Sequence, residues 1–86
     1  DRAVTFNPSA IAWHPIEQSF YVLSSAGKKL VIVDKNFEIS HLIYLSDQDF
    51  KQPEGICFAP DGTMFISSEG RDSNGYIVQF KYSPAK

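Results

Sequence analysis

The segment PEGICFAPDGTMFISS, residues 53–68, repeats the pattern of an earlier segment, PSAIAWHPIEQSFYVLSS, at residues 8–25. At an offset of 45 positions the matching residues are Ile11 and Ile56, Trp13 and Phe58, and Pro15 and Pro60. The offset becomes 44 after the turn, where the second copy is one residue shorter, and 47 in the next apolar run. Self-similarity at such a period is typical of folds that stack copies of one supersecondary unit. The chain therefore contains two copies of one unit.

Each copy has the pattern of β-strands joined by hairpin turns. Short runs rich in β-branched and aromatic residues predict strands, and none has the period of a helix. Turn-forming pairs such as Asp61-Gly62 and Asn74-Gly75 separate these runs. The first unit, residues 8–45, is predicted to have four antiparallel strands, at roughly 10–13, 19–24, 29–34 and 38–45. The second unit, residues 53–82, is predicted to have three, at roughly 55–58, 63–68 and 76–82, and to lack its outer strand.

Several strands are apolar on both faces, which indicates sheets that are covered on both sides. In the second strand, Phe20 and Val22 alternate with Tyr21 and Leu23. Four-stranded meanders that repeat every 40–50 residues or so are typical of a β-propeller, a ring of roughly four to eight blades. We predict an all-β fold of two four-stranded antiparallel blade units, the second incomplete. A sandwich or a barrel stays open from the pattern alone.

The same strand register predicts which side chains are buried. Aromatic residues such as Trp13 and Phe65 are expected to fill space between blades. Cys57 is expected to be a small buried residue, whereas His14, which precedes a proline in a turn, is expected to be exposed. The predicted core residues are Phe20, Val22, Ile32, Ile56, Phe58 and Ile66.

Composition excludes several classes of partner. Eight basic and ten acidic residues give a net charge of −2, so no field would gather nucleic acid or an anionic membrane. No apolar run approaches the roughly 20 residues that cross a bilayer, so we expect no membrane insertion by this segment. A chain of 86 residues covers two-faced sheets poorly. We therefore expect one partial propeller domain over residues 1–86, the C-terminal part of a ring that is completed by its remaining blades or by copies of this chain.

The order and spacing of the motifs resemble a known family. Pro-Ser-x-Ile-Ala-x-x-Pro is followed by Tyr-Val-Leu-Ser-Ser, and later by Gln-Pro-Glu-Gly-Ile-x-Phe-x-Pro-Asp-Gly-Thr and Ile-Ser-x-Glu-Gly. This series is similar to the last two repeats of the SdiA-regulated family, bacterial propellers distantly related to NHL repeats. The resemblance implies a five- or six-bladed propeller in the periplasm or elsewhere in the cell envelope, with calcium as a candidate ion.

Glu54 is the leading candidate for a metal ligand. In a propeller the first strand of each blade is innermost, so a carboxylate just before Gly55 would lie at the rim of the central channel. Calcium takes about six to eight oxygen ligands, and the family motif has an acidic residue at this position in several blades. The matching residue of the first unit is Ser9, which would contribute at most a hydroxyl or a bound water. Glu69 and Arg71 are further candidates for contacts at the channel mouth. A turn role for Glu54, in which it accepts backbone N–H bonds, stays open.

Two function classes remain from the sequence. The favoured one is a non-catalytic binding or scaffold module whose channel mouth holds a calcium ion or a small ligand. An acyl-transfer triad has no support, because no serine has a histidine at nucleophile spacing. The alternative is part of a metal-assisted hydrolase, since propellers that resemble gluconolactonase also hold a divalent ion with a Glu at an inner strand. Propellers have many unrelated functions, so the fold does not decide between these classes.

Overall fold

A computed structural model describes residues 7–70 and 74–84 of the chain. Within these residues the secondary structure consists of strands and turns, and nothing helical is long and apolar enough to span a bilayer. The described residues form seven strands, namely β1 (Pro8–His14), β2 (Ser19–Ser24), β3 (Lys29–Val33), β4 (Ile39–Tyr44), β5 (Pro53–Phe58), β6 (Met64–Ser68) and β7 (Tyr76–Phe80). They form a four-stranded sheet in the order β1-β2-β3-β4 and a three-stranded sheet in the order β5-β6-β7. Every neighbouring pair is antiparallel, which confirms the predicted all-β fold.

The hairpin turns are stabilised by short polar side chains that accept hydrogen bonds from nearby backbone N–H groups. The Asp61 carboxylate accepts the backbone N–H of Thr63 at 2.9 Å, and this bond is the main cause of a lowered pKa for Asp61. Gly62 follows with φ of 91°, a left-handed conformation that favours glycine. Asp34 accepts the backbone N–H groups of Asn36 and Glu38 in the β3–β4 turn. The turn role expected for Asp61 is confirmed, and Asp34 has the same role in the β3–β4 turn.

The core lies between the two sheets. One face of the first sheet packs on the second sheet through residues such as Leu23, Leu30 and Ile66, which are 0–2% exposed. Phe50, in the connection between the sheets, is 3% exposed and completes this core. The other core residues are Tyr21 and Ile32, with Ala10, Leu45, Ile56, Phe58, Met64 and Val78 packed against them. Ile32 and Ile66 are thus confirmed as core residues, and Ile56 and Phe58 lie at the edge of the core.

His14 is buried, with 2% exposure, so the prediction that it is exposed was wrong. Its Nδ1 accepts the backbone N–H groups of Ile16 and Glu17, at 3.2 and 3.1 Å, and so holds the β1–β2 turn together. Its ring packs 4.6 Å from that of Phe58 and 5.0 Å from that of Tyr82, centroid to centroid. The position before a proline indicated a turn, but it did not show that the second sheet covers that turn.

Four other residues that were predicted to be buried are not buried in this chain. Phe20 and Val22 are only partly buried, because they lie on the face of the first sheet that points away from the second. Trp13 shares that face, packs edge-on against Phe20 at 4.8 Å and is 43% exposed. Cys57 is exposed on the opposite outer side of the molecule, on the second sheet. Each of these residues lies on an outer face, so its burial depends on a neighbour outside the described residues.

Candidate functional site

Ser9 and Glu54 occupy the same place in the two repeats. The register of β1 with β2 shifts between Pro8 and Ala10, so Ser9 is an extra residue. The register of β5 with β6 shifts in the same way between Pro53 and Gly55, so Glu54 is an extra residue too. Such β-bulges bend a strand and redirect a side chain, and they are common next to functional sites. The two candidates from the sequence are therefore matched bulge residues, each at the start of the first strand of its sheet.

Glu54 is exposed, and its carboxylate accepts a hydrogen bond from Nε2 of Gln52 at 2.9 Å. The glycine that follows has a packing reason, because a Cβ on Gly55 would lie 2.8 Å from Oγ of Ser67. The bulge thus brings the neighbouring strand close to Gly55 while the Glu54 carboxylate faces solvent. The hydrogen bond to Gln52 leaves most of the carboxylate lone pairs open to a further ligand.

Ser9 is bound to the strand beside it. Its hydroxyl donates to the carbonyl oxygen of Leu23 at 3.1 Å and accepts the backbone N–H of Ser25 at 3.2 Å. Both partners lie at the end of β2, so the hydroxyl fastens the bulge to the hairpin. One lone pair of the oxygen remains for another contact.

A pair of buried serines anchors the segments that lead into the bulges. The backbone N–H of Asn7 donates to Oγ of Ser24 at 3.2 Å, and the backbone N–H of Gln52 donates to Oγ of Ser68 at 3.0 Å. The two serines are 0% and 3% exposed. No serine is predicted to be a nucleophile, and this hydrogen-bonding role was not predicted either, although the repeat of a serine at the end of β2 and of β6 was the signal for it.

Glu69 lies at the same end of the second sheet as Glu54. Its backbone N–H donates to the carbonyl oxygen of Gln52 at 2.8 Å, and its side chain is exposed. Pro53 pairs with Ser68, so Glu54 and Glu69 each follow one member of that pair. Arg71, the remaining candidate, lies outside the described residues. The structure therefore places two of the predicted acidic residues at one end of one sheet.

The connection between the sheets adds oxygen atoms at this end. The Tyr76 hydroxyl donates to the carbonyl oxygen of Asp49 at 2.8 Å and accepts the backbone N–H of Lys51 at 3.1 Å. Hydrogen bonds to Ser68 and to Lys51 lower the pKa of Tyr76. The Asp49 carboxylate accepts the Ser46 hydroxyl at 3.1 Å. This network fixes the chain just before the Glu54 bulge.

A second polar cluster, at the opposite end of the first sheet, is part of the hairpin. The Tyr21 hydroxyl donates a hydrogen bond to the Glu17 carboxylate at 2.8 Å. Burial is the larger cause of a raised pKa for Tyr21, and this hydrogen bond is the second cause. Since His14 holds the same turn, we assign this cluster to structure. Across residues 7–70 and 74–84, no three His, Cys, Asp or Glu side chains are grouped so that they could hold a metal ion by themselves. Any ion at Glu54 would therefore need ligands of other kinds or from other units.

Comparison with known proteins agrees with the resemblance seen in the motifs. The family model described as SdiA-regulated matches residues 1–74. No curated protein matches the chain. The family match includes both bulges and both anchoring serines.

Proposed function

Since the chain belongs to the SdiA-regulated family, we propose that its two sheets are neighbouring blades of a five- or six-bladed β-propeller that serves as a non-catalytic binding or scaffold module. The way in which the sheets approach each other supports this assignment. Among the described strands, Cα atoms of the two sheets come within 8 Å through β1 and β2 against β5. The sheets are thus closest at their first strands, as blades are around a central axis.

The candidate binding function is coordination of a divalent cation, calcium, at the channel rim. The observation that carries this proposal is the bulge, which puts the Glu54 carboxylate in solvent at the start of the strand nearest the neighbouring sheet. Calcium prefers about six to eight oxygen ligands and accepts carbonyls and waters beside carboxylates. One such carboxylate or hydroxyl from each blade would supply five or six of these oxygens, and bound waters would supply the rest. Ser9 would then contribute its remaining lone pair or a bound water.

Glu69 and Arg71 are proposed to contact a small ligand at the same mouth. Glu69 follows the serine that anchors Gln52, so its backbone is fixed while its side chain stays exposed. A cell-envelope location, in the periplasm or outside the cell, is part of the proposal and rests on the family alone. In that location calcium is available at concentrations that suit the weaker class of sites.

The proposal is tested by calorimetric titration of the assembled protein with calcium, using the Glu54→Gln variant. Loss of one carboxylate ligand is expected to weaken binding about tenfold or more, which corresponds to roughly 1.4 kcal/mol. The matched control is Glu38→Gln, which removes the same charge from an exposed position in the turn at the other end of the first sheet. The control should bind calcium like the parent protein.

Equal calcium affinity for the parent and the Glu54→Gln variant would remove Glu54 from the site and leave it a surface residue of the bulge. An equal loss in both variants would mean that only the overall charge matters. The hydrolase alternative has its own test, since a metal-dependent enzyme would turn over a lactone with the loaded protein. The described residues give no specific reason to prefer that alternative.

A further inference from the structure

A pocket of about 410 Å³ lies on the first sheet, at the end opposite to Glu54. The β1–β2 turn and the β3–β4 turn both lie at this end of the sheet and form the rim of the pocket. Its floor is the cross-strand pair of Tyr21 and Ile32, on the face of the first sheet that packs on the second sheet. The residues that line the pocket lie between positions 17 and 41. One sheet and its two turns therefore form the whole lining, wherever the polypeptide begins and ends.

Ser19 is the residue that indicates a ligand in this pocket. It lines the pocket, on the same side of β2 as Tyr21, and is 7% exposed. Within residues 7–70 and 74–84, its buried Oγ has no hydrogen-bond partner. An unpaired hydroxyl that is shielded from water costs free energy, and buried polar groups in proteins are nearly always paired. A ligand with a hydrogen-bonding group at this position would remove that cost.

Two carboxylates of the rim are held in place and keep an oxygen atom available. The Tyr21 hydroxyl at 2.8 Å and Nε2 of His14 at 4.0 Å both approach Oε1 of Glu17, so Oε2 is left for a ligand. Asp34 accepts two backbone N–H groups of its own turn through Oδ1, which leaves Oδ2. Both side chains line the pocket. The rim therefore offers hydrogen-bond acceptors on a fixed frame.

His41 adds a third acceptor. The Ser40 hydroxyl donates its proton to the carbonyl oxygen of Ile32 at 3.2 Å. In its 3.0 Å contact with Nδ1 of His41, the same hydroxyl must therefore accept, and we assign the ring proton to Nδ1. Nε2 of the neutral ring is then an acceptor. The Lys35 ammonium, also on the rim, is a donor.

These groups define the class of ligand. The charges on the rim have both signs, whereas the floor has one hydroxyl between two mainly apolar side chains. An ion next to Tyr21 and Ile32 would lose hydration without an opposite charge at the floor. In the part of the chain that the structure describes, no three His, Cys, Asp or Glu side chains could hold a metal. A neutral molecule with several hydroxyls can donate to the acceptors, accept from Lys35 and pack its C–H groups on the floor.

We propose that this pocket binds a small polyhydroxylated molecule, a monosaccharide, and that one of its hydroxyls pairs with Ser19. The volume is at the lower end of the range of about 300–1,000 Å³ for small-molecule sites. Ser40 and His41 are exposed, so the pocket is open on that side and binding should be weak, in the millimolar range. The site shares no residue with the Glu54 end of the sheets, so it can fail while the ion site stands.

The first test is an NMR titration of the full-length protein with glucose, galactose and mannose. At least one sugar should shift the amide signals of the pocket residues. Ser19→Ala should weaken that binding about five- to tenfold, because a ligand hydroxyl loses its partner. Without sugar, the same variant should resist urea at least as well as the parent protein, since it removes an unpaired buried hydroxyl. The matched control is Ser25→Ala, a half-buried serine at the opposite end of β2, which should bind like the parent.

A second pair of variants tests the rim. Glu17→Gln keeps an oxygen for the Tyr21 hydroxyl but removes the charge, and it should weaken sugar binding several-fold. Its control is Glu38→Gln, an exposed residue of the β3–β4 turn outside the pocket lining, which should bind like the parent. Circular dichroism checks that each variant is folded. The proposal would be overturned by the absence of sugar binding at millimolar concentrations, by equal affinity of the parent and Ser19→Ala, or by a loss of stability in Ser19→Ala. Binding of ammonium or of the amino acid glycine in place of the sugars would overturn it as well.

Discussion

Replacing Ile66 with alanine tests whether the space between the two sheets is the main core. Ile66 is 0% exposed and pairs with Ile56 and Val78 at the centre of the second sheet. An Ile→Ala change in such a site removes about 2–5 kcal/mol through lost transfer energy and the cavity left behind. Since Ile66 contacts both its own sheet and the facing one, we expect a loss of about 3–4 kcal/mol. A domain of this size has roughly 4–13 kcal/mol of stability in total, so this loss would be a quarter or more of the free energy of unfolding.

The matched control is Ile77→Ala in the same sheet. Ile77 is 68% exposed on the outer face, so it loses little buried area and should cost about 1 kcal/mol or less. Urea unfolding followed by circular dichroism at low protein concentration measures both values. A loss below about 1 kcal/mol for Ile66→Ala, or equal losses for the two variants, would show that the sheets do not pack as described.

Two further changes have defined outcomes. Gly55→Ala should cost about 1 kcal/mol in urea unfolding, because the new Cβ meets Oγ of Ser67 at 2.8 Å, and adding Ser67→Ala should restore most of the loss; no recovery in the double variant would exclude this clash as the cause. The pKa of the Tyr21 hydroxyl is raised above its ordinary value of 10.0 by burial and then by its bond to Glu17. Folding therefore favours the protonated hydroxyl, and this stabilisation is complete below about pH 10 and is lost as the pH rises toward the higher pKa of the folded state. Tyr21→Phe should flatten the fall in stability above about pH 10, and an unchanged slope would refute this role.

The strands could be predicted because their signals are local. Short runs of β-branched and aromatic residues, separated by turn pairs such as Asp61-Gly62, indicate where each strand begins and ends, and they do so twice in equivalent segments. Burial depends on what lies across from a strand, and this is not local. His14 sits in a turn that the second sheet covers, whereas Phe20 is on the face of the first sheet that points away from the second sheet. Phe50 completes the core from a connection that has no strand pattern.

The candidate site could be found only in part for the same reason. The repeat aligned Ser9 with Glu54, but the bulge at each position is a property of strand pairing and leaves no separate mark in the sequence. The buried serines were visible as a repeated residue type at the ends of β2 and β6. Their role as acceptors for Asn7 and Gln52 required the register of the neighbouring strands. A residue type that recurs at equivalent positions in both units therefore indicates a structural hydrogen bond more reliably than a catalytic or ligand-binding role.

The two bulges also show why Glu54, rather than Ser9, is the better candidate for function. Both units keep the same backbone distortion and the same serine anchor beneath it. In the first unit the bulge side chain is used by the fold, since Ser9 bonds two main-chain groups of the adjacent hairpin. In the second unit the bulge forms without main-chain bonds from its side chain to the adjacent hairpin in the part of the chain that the structure describes, and the Glu54 carboxylate accepts a surface hydrogen bond from Gln52. A carboxylate held on a fixed backbone, with its oxygen atoms largely in solvent, costs the fold little and remains available to a ligand.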